Sequence, residues 1–282
     1  MTMKKLLLCL GVTASSLSSA SLLADEMSNE AIAKASQNPI TMIYSLPIQN
    51  NTYFDLGDSG ETKNVANFQP VVPMDLNEDW DIVWRMIMPI TTTPGIPDSF
   101  NGDGEATHFS GGATGLGDTT LSAFLAPKQA GDLIWGVGGA LYMPTATEDV
   151  LKTKQWGMGP SVVGLRMDGN WTYGALIMNV WSFGADKPGD KKIDFLQLQP
   201  FINYNLGDGW FLTSVPIITA FWDQDSDNRW TVPLGGGFGR GFKIGNVPVS
   251  ATAQAYYNVV SPDATGEKWT LRLQMQVFFP RK

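Results

Sequence analysis

The sharpest pairing of reactive side chains is His108-x-Ser110, because His108 is the only histidine in the chain. On a strand, a two-residue spacing puts both on one face. A base beside a hydroxyl is the chemistry of a lipid-ester hydrolase, but it needs a third group to hold the imidazole. The surrounding run from Gly102 to Gly112 is a glycine-rich loop with no identifiable orienting residue, so a surface-loop histidine is the favoured reading. Asp223-x-Asp225-x-Asp227-Asn228 opens like a calcium loop, with oxygen ligands at alternate positions. Its sixth position is not glycine, and its twelfth is Leu234 rather than Glu. A solvated acidic hairpin fits better than a metal site. Gly235-Gly236-Gly237-Phe238-Gly239 falls inside a strand pattern with no helix behind it, which suits a bend or bulge, not a phosphate cradle. No cofactor, metal or catalytic residue is expected.

A third group acts only collectively. Arg85, Gln197, Gln199, Gln254, Arg272 and Gln274 fall by parity on the polar faces of their strands, and Arg166 is assigned with them. If these faces point into a closed sheet, the arginines either pair with inward acids such as Asp81, Asp118 and Asp194, or stay unpaired and select solutes by charge. Phe124, Tyr142, Phe201 and Tyr256 share the inward parity and could supply an aromatic slide.

The elements that carry these residues repeat one unit: an alternating polar and apolar stretch, an aromatic near one end, then a turn. Lys268 to Phe279 shows it best. Trp269, Leu271, Leu273, Met275, Val277 and Phe279 share one face; Thr270, Arg272, Gln274 and Gln276 share the other. Twelve such stretches are predicted, at 40–55, 65–76, 80–90, 117–127, 133–147, 156–168, 171–185, 193–206, 210–222, 230–243, 249–260 and 268–279. Tight turns alternate with longer loops, including a long polar connection over 91–114, as in outer-membrane barrels. Trp80, Trp156, Trp171, Trp210, Trp230 and Trp269 stand near strand starts, where an interfacial belt belongs and a soluble β-sandwich has no use for one. The fold class is therefore all-β, a transmembrane antiparallel β-barrel of about twelve strands with a short N-terminal helical arm.

Residues 1–24 read as a secretory signal peptide, with Lys4 and Lys5 before the apolar run from Leu6 to Ala14. The lone cysteine, Cys9, follows Leu8 inside it and is a poor lipid-attachment site. Residues 25–39 form a periplasmic arm with a weak helical pattern that Pro39 ends, and 40–282 form the barrel. A formal net charge of −8 argues against a nucleic-acid partner. Outside the signal no apolar run is long enough for a spanning helix, so membrane residence requires a closed sheet.

Several motifs carry a resemblance. They are Gln37-Asn38-Pro39, Ser45-Leu46-Pro47-Ile48-Gln49-Asn50-Asn51, Leu76-Asn77-Glu78-Asp79-Trp80, Gly115-Leu116-Gly117-Asp118 and Ile134-Trp135-Gly136-Val137-Gly138. Pro144-Thr145-Ala146-Thr147, Trp156-Gly157-Met158-Gly159-Pro160-Ser161, Trp171-Thr172-Tyr173-Gly174-Ala175-Leu176, Trp181-Ser182-Phe183, Trp230-Thr231-Val232-Pro233 and Ser261-Pro262-Asp263 continue it. Over nearly the whole mature chain they resemble a bacterial outer-membrane "transporter" family, often misnamed neuromedin U, which is related to the barrels of the meta-pathway of phenol degradation. The tail departs from that pattern, since Arg281 intervenes between Pro280 and Lys282.

The resemblance implies a Gram-negative outer-membrane channel for passive transport of small solutes, hydrophobic or aromatic ones among them. Its expected partners are outer-membrane lipids and lipopolysaccharide, the barrel-assembly machinery, and the solute. The alternatives are an outer-membrane lipid-acting hydrolase using His108 and Ser110, and a non-conducting structural barrel.

Overall fold

The computed structural model describes residues 27–95, 97–100, 106–109, 111–129, 131–183, 192–263 and 266–279. The signal assigned to 1–24 lies outside them. Twelve antiparallel staves form the wall. They are β1 (Tyr44–Leu56), β2 (Glu61–Phe68 with Val71–Asp75), β3 (Trp80–Thr93), β4 (Ala113–Leu116 with Thr119–Pro127), β5 (Leu133–Met143) and β6 (Trp156–Asp168). The second half comprises β7 (Trp171–Phe183), β8 (Asp194–Gly207), β9 (Trp210–Ser214 with Ile218–Phe221), β10 (Trp230–Ile244), β11 (Val247–Val260) and β12 (Glu267–Phe279). Each pairs with its chain neighbours, and β12 returns to β1 from Tyr44↔Phe279 to Leu56↔Glu267. Closure removes every sheet edge, which is the condition for a sheet to stand in hydrocarbon.

Burial follows the two-residue rhythm. In β12, Thr270, Arg272, Gln276 and Phe278 are buried inside while Trp269, Leu271, Leu273, Met275 and Phe279 are exposed outside. β3 does the same, with Asp81, Val83 and Arg85 inward and Trp84 and Ile90 outward. Two aromatic girdles bound the apolar outer band. Trp171 packs against Tyr204, and Trp80 edge-on against Trp135, at the end with short turns; Trp222 meets Trp230, and Tyr257 meets Trp269, at the end with long loops.

The breaks at Pro70 and Pro216 interrupt the ladder without shifting it. β9 breaks at 215–217, yet Ile202↔Ser214 and Leu198↔Ile218 keep one register, which sets Pro216 opposite Pro200. Neither proline has an N–H to donate. β2 breaks similarly at Gln69-Pro70, where Gln69 N donates to Pro47 O and Pro70 O accepts from Met86 N. The strand expected over 40–55 begins only at Tyr44, because residues 40–43 cross the lumen. The long connection over 91–114 holds a two-stranded hairpin, Pro97–Phe100 with Ala106–Phe109.

Helix α1 (Asn29–Ser36) is capped by Ser28, whose hydroxyl accepts from Ala31 N. It lies inside the barrel at the turn end. Ile32 and Ala33 are wholly buried, Gln37 pairs with Asn205 at 2.8 Å, and Ser250 Oγ donates to Ser36 Oγ at 3.0 Å. Gly241 on the inward face of β10 makes room for it, and Gly235, Gly237 and Gly239 face in on the same strand. A Cβ on Gly241 would stand 2.6 Å from both Ala33 N and Asn29 O, and one on Gly239 would strike the Phe211 ring.

Candidate functional site

The lumen has two unlike walls. Ile40, leaving α1, sits among Val71, Val83, Phe124, Ala126, Val163 and Leu176 on the β2–β7 side. Gly136 leaves space for it, since a Cβ there would lie 3.3 Å from Ile40 Cδ1. Nearer the loop end, Ala140, Met178, Val180 and Ile193 form a second apolar cluster against Tyr142 and Phe195.

The other wall is a hydrogen-bonded girdle. Arg85 Nη2 donates to Gln69 Oε1 at 2.8 Å, Gln69 Nε2 to Gln49 Oε1 at 3.1 Å, and Gln49 Nε2 to Asn51 Oδ1 at 3.1 Å. From the far side Arg272 Nε donates to the same Asn51 oxygen at 2.9 Å. Three neutral amides thus link two guanidinium groups across β3, β2, β1 and β12. Arg272 Nη1 goes on to Val215 O at 2.7 Å, the carbonyl freed by the proline break in β9. Its guanidinium lies 5.1 Å from the Tyr256 ring centre, within cation–π range. The Tyr256 hydroxyl donates to Gln254 Oε1 and accepts from Val215 N at 2.8 Å.

The girdle surrounds a cavity of about 110 Å³, where one water needs roughly 10–15 Å³. Gln37, Asn38 and Pro39 line it on the α1 side, and Leu176, Phe201 and Phe211 line its apolar flank. Of the seven residues expected inward, Arg85, Gln199, Gln254, Arg272 and Gln274 meet there. Gln197 shares the inward parity but lies one layer nearer the loop end, opposite Met178 and Thr219. Arg166 is a correction. It is exposed on the outer wall beside the turn after β6, with Asp132 Oδ2 at 3.4 Å, while Leu165 takes the buried inward place. A long basic side chain at the rim can lie along the barrel and keep its head in water. Arg240 is likewise outward, paired with Asp208 at 2.7 Å.

The inward acids serve other purposes than neutralising the lumen arginines. Asp118 holds the 145–153 loop down, accepting from Ala146 N and Thr153 N at 3.0 Å, Thr153 Oγ1 at 2.7 Å and Tyr142 OH at 3.3 Å. Asp81 lies 3.8 Å from Lys128 at the turn rim. Among the described residues no carboxylate stands within ion-pair distance of Arg85 or Arg272.

The other candidates do not assemble. Ser110 lies outside the described residues, and His108 is placed by its backbone alone, opposite Ser99 in the loop hairpin. The Asp225 carboxylate accepts from Asp227 N, Asn228 N and Asn228 Nδ2, so its own loop satisfies it. The described residues contain no cluster able to hold a metal ion. Sequence reasoning missed Gln49, Asn51, Val215 and, on the second stave, Gln69. The first two follow from parity once β1 is in register with β12, through Asn51↔Arg272; the third needed the proline break to be read as a freed carbonyl.

Comparison with known proteins returns no matching family model and no matching curated relative. Among solved structures, the barrel resembles the COG4313 outer membrane channel from Pseudomonas putida F1, at 16% identity and a TM-score of 0.66 over 84% of this chain and 96% of that one. The CymD monoaromatic hydrocarbon channel gives a TM-score of 0.46 at 10% identity, covering 90% of this chain and 94% of that one. Outer membrane phospholipase A from Escherichia coli gives 0.45 at 13%, covering 89% and 98%. At such identities the likeness is one of fold.

Proposed function

We propose that the chain is an outer-membrane channel through which small solutes pass down their gradients. The observation that carries this reading is a polar girdle around a cavity with room for several waters, inside a closed barrel whose outer band is apolar. A barrel needing only rigidity could fill its core with apolar side chains; burying two arginines without carboxylates is costly unless the site serves water or solute. The sequence resemblance to the "transporter" family and to the phenol-pathway barrels supports the same reading, and it favours hydrophobic or aromatic solutes. Phe201 and Phe211 on the cavity's apolar flank are compatible with them. On this reading the turn end faces the periplasm, lipid and lipopolysaccharide surround the band, and the assembly machinery inserts the barrel. Any gate on this path would be the arm at 25–38 or the loop at 91–114. Recording purified protein in a planar bilayer tests it: unitary current steps are expected, and their absence even after removal of residues 27–39 would overturn the proposal.

A further inference from the structure

Resting on that channel reading, the geometry points to a narrower solute class: small monocarboxylates with an apolar body, bound at the lumen cavity by Arg85 and Arg272. Arg272 is only 6% exposed, yet its charge meets neutral acceptors alone. Arg85 likewise spends one nitrogen on the neutral Gln69. Nη2 of Arg272, and Nε and Nη1 of Arg85, take part in none of these bonds. None of the three is a buried, unpartnered atom, so they open onto the cavity.

Gln199 and Gln274 line the same space, and neither amide makes a hydrogen bond among the described residues. The girdle therefore offers spare donors and positive charge with no acid among its described neighbours. A carboxylate supplies what is missing, because charge-assisted N–H···O⁻ bonds to guanidinium are the strong ones. The facing wall selects the rest of the solute. Leu176, Phe201 and Phe211 give it an apolar surface, which a hydrated inorganic anion would not use. An aromatic or short aliphatic carboxylate satisfies both walls.

The test loads liposomes containing the protein with benzoate, benzamide or chloride and follows efflux in excess of that from protein-free liposomes, using wild type, Arg85→Gln, Arg272→Gln and the double variant. Wild type is expected to pass benzoate at least about tenfold faster than benzamide, the factor one charge-assisted hydrogen bond supplies. Each single variant should narrow that ratio and the double should abolish it. Should Arg272→Gln fail to fold, the wild-type ratio and Arg85→Gln still decide. Equal passage of benzoate and benzamide in wild type, or an unchanged ratio in Arg85→Gln, overturns the proposal while leaving a channel. Chloride passing as well as benzoate reduces the site to a simple anion filter and refutes the apolar half. Absence of all flux refutes the channel reading instead.

Discussion

Replacing Ile32 by Ala tests whether α1 closes the turn end. Ile32 is wholly buried between helix and wall, and emptying such a site costs about 2–5 kcal/mol. An eight-residue helix has no stability of its own in water, so lost docking means an unfolded arm. Against this, the arm keeps Ile40 and four side-chain bonds, Gln37–Asn205, Ser36–Ser250, Asn29–Asp208 and Lys34–Gly169 O, each worth about 1 kcal/mol. Losing even 2 kcal/mol raises the undocked population roughly 30-fold. The wall is untouched, because Ile32 takes no part in the ladder. Two readouts follow the arm. Trypsin cuts after Lys34 only when α1 leaves the lumen, and open probability in a bilayer rises with the same population. Gly241→Val should act in the same direction, since its Cβ meets main-chain atoms of α1 that cannot step aside. Unchanged cleavage and unchanged conductance in both variants, with the barrel still folded by its heat-modifiable gel mobility, would refute the docked arm as the closure.

Asp118→Ala removes the carboxylate that four donors share, so trypsin cleavage after Lys152 and Lys154 should rise at least tenfold. Intact loop protection in that variant would show that the loop is held elsewhere. Leu273→Arg puts a charge on the outer face and should cost about 2–4 kcal/mol near the bilayer midplane, read as a lower urea midpoint for refolding into vesicles. Gln274→Glu, one residue away on the inner face beside Arg85 and Arg272, should refold within about 1 kcal/mol of wild type; a similar loss in both would contradict the assigned parity. Ser110→Ala should leave lipid turnover by purified protein at background, and activity that disappears in the variant would revive the hydrolase.

The faces of β3 and β12 were legible because the polar residues keep to one parity, Asp81 and Arg85 in β3 and Thr270, Arg272, Gln274 and Gln276 in β12. β6 was not. Val162 and Val163 are adjacent and only Val163 is buried, so the strand's hydrophobicity does not reveal which face is wet, and a charged residue invites assignment to the lumen. At a membrane rim that inference reverses, because Arg166 can stay outside beside water. The prolines deceived in another way. Side-chain rhythm continues through Pro70 and Pro216 because register is kept, so the pattern gives no sign that the ladder is broken there. The girdle was hidden for a third reason. Its residues come from four staves, and pairing them requires Asn51↔Arg272 and the placement of Gln69 beside Gln49, which are properties of closure and not of any one stretch.

The seat of α1 also explains where the lumen's two walls lie. The helix packs on the glycine track of β10, and the chain leaving it must cross the bore to enter β1 at Tyr44. Ile40 is the residue in mid-crossing, and it lands on the apolar wall. Gln37, Asn38 and Pro39, just before it, line the cavity at the polar girdle. The arm therefore touches both walls at once, and leaving would uncover the apolar cluster and the arginines together. Exposing that cluster to water costs about 25 cal/mol per Å² of apolar surface, whereas a solute with an apolar body can cover it. An amphipathic anion consequently has a thermodynamic reason to favour the undocked arm that a purely polar anion lacks, since a ligand shifts such an equilibrium only by its differential affinity for the two states. Benzoate should therefore raise trypsin cleavage after Lys34 in wild type, and acetate at the same concentration should raise it less. Equal effects would separate the carboxylate site from the gate.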